Sequence, residues 1–195
     1  MANRVEPIKS KENIEAMKQA MIDNDDWRAY QLFVLGINFG LRISDLLTLN
    51  FKDIMYVDGH KFKEKFTITE SKTNKRKHIV INDSVKDAVT KVINNTFFKN
   101  KEKYNTPLFW SKYKTHKPMS RTTAHRIMKK YAKEVGIEEN VSTHSLRKSF
   151  AYWQFKNSDL PTVMKLLNHS SQKETLRYLG INSPEVDEAY ATLNL

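Results

Sequence analysis

The apolar positions near the start of the chain recur at the spacing of amphipathic helices. This pattern predicts one helix from Ile8 to Met21 and a second from Trp27 to about Phe39. Gly40 then provides a helix stop, and the stretch LRISDLLTL predicts a short third helix whose leucines face inward. Arg42 is therefore expected at a junction between two buried helices.

The apolar period then changes to two, which is the period of a β-strand. The aromatic and aliphatic residues of FKEKFTI alternate with polar ones, the stretch SKTNKR is typical of a turn, and KHIVI predicts a partner strand. The sequence therefore predicts a β-hairpin with Lys72 near its tip.

Helical spacing returns in the second half of the chain. Asp83 or Ser84 is a suitable N-cap for the first of these helices, and Ser120 is a suitable N-cap for the second. A polar, basic connection from Lys99 to Pro118 separates them, and only its PLFW stretch has the character of a packed segment. The predicted helices cover residues 83–95, 120–135, 143–155, 160–167, 175–179 and 184–193.

These elements predict a mainly α member of the α+β class, a helical bundle with a small antiparallel β-sheet near residues 51–81. A chain of 195 residues, 39% of them apolar, can bury one sizeable core. The absence of cysteine excludes disulfides, thiolate nucleophiles and Cys-based zinc sites. No apolar run is long enough to span a bilayer and the start is polar, so we expect a soluble, cytoplasmic protein.

The net charge of +11 is concentrated in two segments. Lys61 to Lys77 holds 7 basic against 2 acidic residues, and Thr96 to Lys133 holds 11 against 1. Basic blocks interleaved with aromatic residues are typical of a surface that binds a polyanion, although a solvated basic face has the same composition. We expect phosphate contacts, with an affinity that falls steeply as salt rises, from Lys75, Arg76, Lys77, Lys112, Lys114, Lys117, Arg121, Arg126 and Lys129.

Two short stretches carry candidate chemistry. In THSLRKSF, His144 and Arg147 are three residues apart on one helix face and can converge on a small anion. In LLNHSSQKETLRYLG, His169 precedes Tyr178 by nine residues. Taken singly, each of these residues also suits an ordinary structural role.

Together the motifs GLRISDLL, SKTNK, HSLR, LLNHSS and RYLG, in this order, resemble the tyrosine recombinase family, also called the phage integrase family. The resemblance covers nearly the whole chain. It implies catalytic roles for Arg42, Lys72, His144, Arg147, His169 and Tyr178, and a supporting role for Asp45. Lys75, Arg76 and Lys77 lie in the same turn as Lys72 and compete with it for the role of the family's catalytic lysine.

The resemblance also implies a reaction. Tyr178 attacks a DNA phosphate, Arg42 and Arg147 bind the oxygens that gain charge, and Lys72 protonates the leaving 5′-oxygen. His144 can accept the tyrosine proton and His169 can hydrogen-bond the phosphate. A 3′-phosphotyrosyl link stores the energy of the broken bond, so the reaction requires no ATP, cofactor or metal, and no phosphate-binding loop or acidic metal cluster is evident.

The family implies double-stranded DNA as partner, assembly as a tetramer, and in some members an accessory or directionality protein. Only 41 residues precede Arg42, so we expect residues 1–195 to form a single catalytic domain without a separate DNA-binding domain, as in the short members that include invertases. Residues 182–195 carry an apolar stripe that either packs on its own domain or docks on a neighbouring subunit. Bacterial or phage origin and association with the nucleoid follow from the same resemblance.

Two other functions remain open. A type IB topoisomerase-like nicking and closing enzyme uses a similar set of side chains, and would relax supercoiled plasmid of arbitrary sequence. A catalytically silent DNA-binding regulator would bind DNA without forming a covalent adduct.

Overall fold

The computed structural model describes residues 4–56, 61–96, 98, 103–114 and 116–180. This part of the chain is mainly helical and holds one two-stranded antiparallel sheet, which confirms the expected fold class. Its elements are α1 (Lys11–Asp23), α2 (Trp27–Phe39), α3 (Ile43–Leu46), α4 (Phe51–Ile54), β1 (Lys65–Thr69), β2 (Arg76–Val80), α5 (Asp83–Asn94), α6 (Arg121–Glu134), α7 (Thr143–Asn157), α8 (Leu160–Leu167) and α9 (Gln172–Leu179).

Side-chain caps decide where the helices begin, because they satisfy backbone N–H groups that have no partner in the first turn. Ser10 accepts from the N–H of Asn13, so α1 begins after Ser10 and not at Ile8. Asn82 caps α5, so the expectation of Asp83 or Ser84 was wrong by one position or two. Ser120 caps α6 as predicted.

The hairpin directs one face toward the helices. Ile68 pairs with Lys77 and Thr69 pairs with Arg76, which places Phe66, Lys77 and Ile79 on the buried face. The Phe66 ring lies 5.2 Å from the ring of Phe39, at the end of α2. The tip of the hairpin is therefore held close to the junction between α2 and α3.

The core has a larger and a smaller apolar cluster. In the larger one, α2 is almost fully buried and packs against α5 and α7. The PLFW stretch joins this cluster, with Leu108 and Phe109 fully buried, as the sequence predicted. The smaller cluster gathers α7, α8 and α9 around Phe150 and Leu167. The site described below lies where these two clusters meet.

Some sequence expectations lie elsewhere. Helix α4 was not predicted, because a single turn leaves little periodicity to detect. The helix expected over residues 184–193 and the apolar stripe of residues 182–195 lie outside the described residues. In the described ranges, no helix is both long enough and apolar enough to cross a membrane.

Candidate active site

Arg147 is a fully buried cation at the centre of the site. It lies in the first half of α7, which Ser142 and Ser145 start with a capping box. Its Nη1 donates to the Gly40 carbonyl at 2.7 Å, and its Nη2 donates to the Leu167 carbonyl at 2.7 Å. Arg147 thus joins the end of α2 to the end of α8.

Arg42 reaches the same point from the start of α3. It is the N-cap residue of that helix and has an extended backbone, so its side chain projects from the junction. Its Nη1 lies 2.9 Å from Oε1 of Glu70, and 21% of its side chain remains exposed. The junction that the sequence predicted brings Arg42 close to Arg147, because both side chains contact the Glu70 carboxylate.

Glu70, the first residue after β1, lies between the two arginines with no exposed surface. Its Oε1 is 3.3 Å from Nη1 of Arg147, and its Oε2 accepts from Asn168 at 2.8 Å and from Thr73 at 2.9 Å. Burial by itself raises the pKa of this carboxyl, but the hydrogen bonds from Asn168 and Thr73 and the charges of both arginines lower it to about 2. Glu70 is therefore ionised at every physiological pH.

Tyr178 stands on α9 between two histidines. The rings of His144 and His169 each lie 5.1 Å from its ring, both nearly perpendicular to it. The Tyr178 hydroxyl is buried and makes no hydrogen bond of ordinary geometry with the described residues, but it lies close enough to the Arg147 guanidinium for that group to lower its pKa. Lys148, which sequence reasoning did not single out, lies 5.6 Å from the centre of the same ring and donates to the Val5 carbonyl.

The environment shifts the pKa of all three of these groups. Burial raises the pKa of Tyr178 to about 12, against the opposing charges of Arg147 and Arg42. Burial of the ring, together with the charge of Lys148, lowers the pKa of His144 to about 4, although more than a third of this residue is exposed and solvent screens part of the effect. Burial also lowers the pKa of His169, against the charge of Glu174. Without DNA the site therefore holds a neutral phenol beside two neutral imidazoles.

A cleft of about 440 Å³ opens beside the tyrosine. It gives solvent access to the face on which His144 and Tyr178 lie. Its walls are formed by Arg4, Val5, His144, Lys148, Glu174, Arg177 and Tyr178.

The basic residues at the hairpin tip differ sharply in exposure. Lys72, Lys75 and Arg76 are exposed. Lys77 is only 9% exposed and turns inward, and its Nζ has no hydrogen-bond partner within the described part of the chain. It was expected on the DNA-facing surface, but the alternation of β2 places it on the buried face, where it lies over the Phe150 ring at 5.7 Å.

Comparison with known proteins identifies the family. A model described as the phage integrase family matches residues 8–184. The chain is 39% identical over 187 residues to the probable integrase/recombinase YoeC of Bacillus subtilis (strain 168), and the match covers 95% of each protein. It is 30% identical over 167 residues to tyrosine recombinase XerC of Caldanaerobacter subterraneus subsp. tengcongensis, which covers 83% of this chain and 44% of that one. The chain belongs to the phage integrase family.

Solved structures with the same fold include other tyrosine recombinases. The crystal structure of XerA recombinase aligns with a TM-score of 0.72 at 18% identity, over all of this chain and 67% of the other. A lambda integrase dimer bound to a COC′ core site aligns with a TM-score of 0.68 at 20% identity, over 92% of this chain and 49% of the other. These likenesses concern the fold. With the family match, they confirm the prediction of a tyrosine-type recombinase.

The recombinase brings most of the predicted catalytic residues to one place. Arg42, Arg147, His144, His169 and Tyr178 converge, although they come from four different helices or their ends. Lys72 lies at the tip of the adjacent hairpin and is exposed. The predicted supporting residue, Asp45, is 3% exposed and accepts hydrogen bonds from the backbone and the hydroxyl of Ser71 at that tip.

Most of the expected phosphate-contacting residues are on the surface. Eight of the nine are exposed, and Lys77 is the exception. Helix α6 turns Ala124, Ile127 and Met128 toward the core and leaves its basic residues in solvent. Their contact with DNA remains a prediction.

Sequence reasoning missed Glu70 and Asn168. The acidic Glu70 stands in a strongly basic segment, which is a local departure from the charge pattern, but its partners are 28 and 77 residues away in sequence. Asn168 adopts a left-handed backbone at the end of α8, with φ of 56°. An Asn after an apolar helical run is a signal for such a helix end, but it does not reveal the bond to Glu70.

Proposed function

We propose that the recombinase cuts one strand of double-stranded DNA with Tyr178 and rejoins it through a 3′-phosphotyrosyl intermediate, as a site-specific integrase or invertase. The observation that carries this proposal is the Tyr178 hydroxyl, which is buried between two imidazole rings, makes no hydrogen bond of ordinary geometry with the described residues, and lies within reach of the Arg147 guanidinium. A structural tyrosine would ordinarily satisfy a buried hydroxyl. An unsatisfied one suits a group that acts on an incoming substrate.

The proton of Tyr178 needs an acceptor. With a pKa of about 12, ionising this phenol at pH 7 costs about 7 kcal/mol, which makes unassisted attack slow. His144 is placed to accept it, because its ring adjoins the phenol and is neutral at that pH. Its lowered pKa makes it a weak base in the free protein, and the negative charge of the bound phosphate raises that pKa. As the Tyr178 oxygen bonds to phosphorus, its proton passes to His144.

The phosphate oxygens and the leaving group need the remaining cations. The oxygens gain negative charge as phosphorus becomes five-coordinate, and Arg42 and Arg147 are fixed in advance to stabilise that charge. The bond from phosphorus to the 5′-oxygen breaks, and Lys72 gives that oxygen a proton. Religation reverses these steps with the 5′-hydroxyl of another strand, so the bonds balance without ATP.

The assembly on DNA that we propose for this chain is taken from structures with the same fold. One structure with the same fold is a lambda integrase tetramer bound to a Holliday junction, and another is XerH bound to a palindromic difH substrate. We extend duplex DNA and assembly as a tetramer to this chain, with the exposed basic residues of α6 and of residues 112–117 on the phosphates. An accessory or directionality protein belongs to the same proposal.

The test is a covalent adduct with nicked duplex fragments from the DNA that flanks the gene. A nick beside the cleavage point lets the short released strand diffuse away, so the adduct accumulates and survives SDS. We expect an adduct with wild type and with Tyr152→Phe, a half-buried tyrosine on α7 that serves as matched control, and none with Tyr178→Phe. An adduct that persists in Tyr178→Phe would exclude this nucleophile.

Plasmid relaxation and the adduct assay together separate the competing functions. A mechanistically related topoisomerase would relax plasmid of arbitrary sequence. A silent regulator would bind the fragments and give no adduct with any variant. Formation of an adduct on one flanking sequence and not on a shuffled one supports site-specific recombination.

A further inference from the structure

Glu70 is the one buried carboxylate in the described residues that contacts both site arginines. Four groups converge on it: the guanidinium groups of Arg42 and Arg147, the Asn168 amide and the Thr73 hydroxyl. These groups come from the α2–α3 junction, α7, the end of α8 and the hairpin tip. Each of these segments carries or adjoins a residue of the proposed mechanism.

We propose that Glu70 is a positioning residue that sets the spacing of the Arg42 and Arg147 guanidinium groups and holds the hairpin tip, with Lys72, against them. This inference rests on the proposed function, because it concerns the groups that would bind and protonate the scissile phosphodiester.

Burial distinguishes a positioning role from that of a temporary occupant of the phosphate site. Glu70 has no exposed surface and Arg147 has 2%, whereas 21% of the Arg42 side chain reaches solvent. The carboxylate therefore lies on the interior side of the pair and contacts Nη1 of each. A phosphate arriving from solvent meets the other side of Arg42, so Glu70 need not leave.

Electrostatics explains why a carboxylate is needed there. Two guanidinium groups that share one partner repel each other, and the buried Lys77 is close enough for Arg147 and Arg42 to lower its pKa. One ionised carboxylate between the arginines offsets this repulsion and keeps both side chains extended toward a common point. Without it, the arginines would separate or bind counterions from solvent.

The backbone of Asn168 supports the same role. This residue has φ of 56°, a conformation that glycine adopts with less strain. Its Nδ2 donates to Glu70, which gives a reason for asparagine at a position where glycine would fit the backbone better. The end of α8 thus contributes a hydrogen bond that fixes the orientation of the carboxylate.

The hairpin tip is tied on both sides of Lys72. Glu70 and Thr73 bond to each other across the turn, and Asp45 accepts from the backbone of Ser71 at 3.1 Å. Lys72 lies between these anchors and is exposed. Its backbone is therefore held near the arginines before DNA arrives.

The test compares Glu70→Gln with Glu64→Gln, which removes the same charge from an exposed position of the same hairpin. The affinity for a nicked fragment that gives an adduct with wild type is measured first. The rate of adduct formation is then measured with DNA saturated by protein. We expect Glu70→Gln to slow adduct formation by about tenfold to a hundredfold without weakening affinity, because misplaced phosphate ligands act on the reaction more than on binding. Glu64→Gln should match wild type in both measurements.

A second variant tests the same proposal in case Glu70→Gln does not fold. Asn168→Gly keeps a residue that tolerates positive φ and removes only the amide that holds Glu70. We expect it to retain the wild-type circular dichroism and to slow adduct formation severalfold at unchanged affinity.

The outcomes separate the two proposals. If wild type gives no adduct on any fragment, the proposed function fails and this inference fails with it. If wild type reacts and both variants react at the wild-type rate, the inference alone is overturned. A faster reaction in Glu70→Gln also overturns it, because the carboxylate would then be a competitor of the phosphate.

Discussion

At the scale of single residues, Lys77 shows how one position in a strand changes the chemistry of a basic side chain. Its neighbours Lys75 and Arg76 are exposed, but Lys77 is on the inward face of β2. Burial and the charge of Arg147 lower its pKa to about 8, while Glu70 opposes the shift. A buried ammonium group without a hydrogen-bond partner in the described structure is destabilising.

We therefore expect Lys77→Met to stabilise the fold. Methionine has a similar length and needs no solvation, so the free energy of unfolding at pH 7 should rise by roughly 1–3 kcal/mol. Adduct formation should slow by about tenfold, because a positive charge near the phosphate is lost. Urea unfolding and the adduct assay measure the two effects, with the exposed Lys65→Met of β1 as control.

The gain in unfolding free energy from Lys77→Met should become smaller as the pH rises above 8. Below pH 8 the lysine is protonated in both the folded and the unfolded chain, so the gain is constant. Between pH 8 and the ordinary lysine pKa of 10.5, only the unfolded chain keeps the proton, so wild-type stability rises with pH relative to the variant and the gain narrows. A gain that widens in this range would contradict the assignment of a lowered pKa.

At the scale of elements, the junction of α2 and α3 depends on Gly40. This residue caps α2 with φ of 58°, and a Cβ built on it would overlap the Phe150 ring. Its carbonyl also accepts a hydrogen bond from Arg147. One position therefore ends a helix, allows α7 to approach and fixes a site arginine.

We expect Gly40→Ala to destabilise the protein by several kcal/mol and to slow adduct formation. The left-handed backbone alone costs an alanine about 1–2 kcal/mol, and overlap in a packed core adds about 1–3 kcal/mol. Gly136→Ala is the matched control, because Gly136 has φ of 73° but no atom of the described residues lies within 4 Å of the added Cβ. The difference between the two variants in urea unfolding isolates the overlap with Phe150, and equal losses would show that the close approach is unimportant.

At the scale of the whole molecule, the larger of the two basic segments presents its described lysines and arginines on the surface. The exposed side chains of Lys112, Lys114, Lys117, Arg121, Arg126 and Lys129 occupy α6 and the segment before it. Phosphate contacts release counterions, so the logarithm of the binding constant should fall linearly with the logarithm of the salt concentration.

We expect the double variant Lys117→Gln, Arg121→Gln to reduce the slope of log affinity against log salt concentration by about 2, since each phosphate contact contributes about 0.9. Lys86→Gln, Lys91→Gln removes the same charge from the exposed face of α5 and should leave the slope unchanged. Fluorescence anisotropy with duplex DNA at several salt concentrations measures both. Equal slopes in the two double variants would place the DNA surface elsewhere.

Local signals explain why much of the fold was predictable. Apolar period, capping residues and the glycine after α2 act over a few residues, so they were visible in the sequence and gave α2, α6, α8 and the hairpin close to their observed bounds. The start of α1 and the cap of α5 were misplaced because several polar residues adjoin each start. The ordered motifs indicated Arg42, Arg147 and Tyr178, because the residue types and the order that carry the family resemblance are read directly along the chain.

The sequence by itself determined most of the elements, the two basic segments and the residues that we predict to carry the reaction. Only the tertiary structure decided how these residues meet: that Glu70 lies between Arg42 and Arg147, and that Lys77 alone among the basic residues of its turn is buried. The reason is physical. Helices and turns are set by neighbours along the chain, whereas the partner of a buried charge is set by which distant segments pack against it.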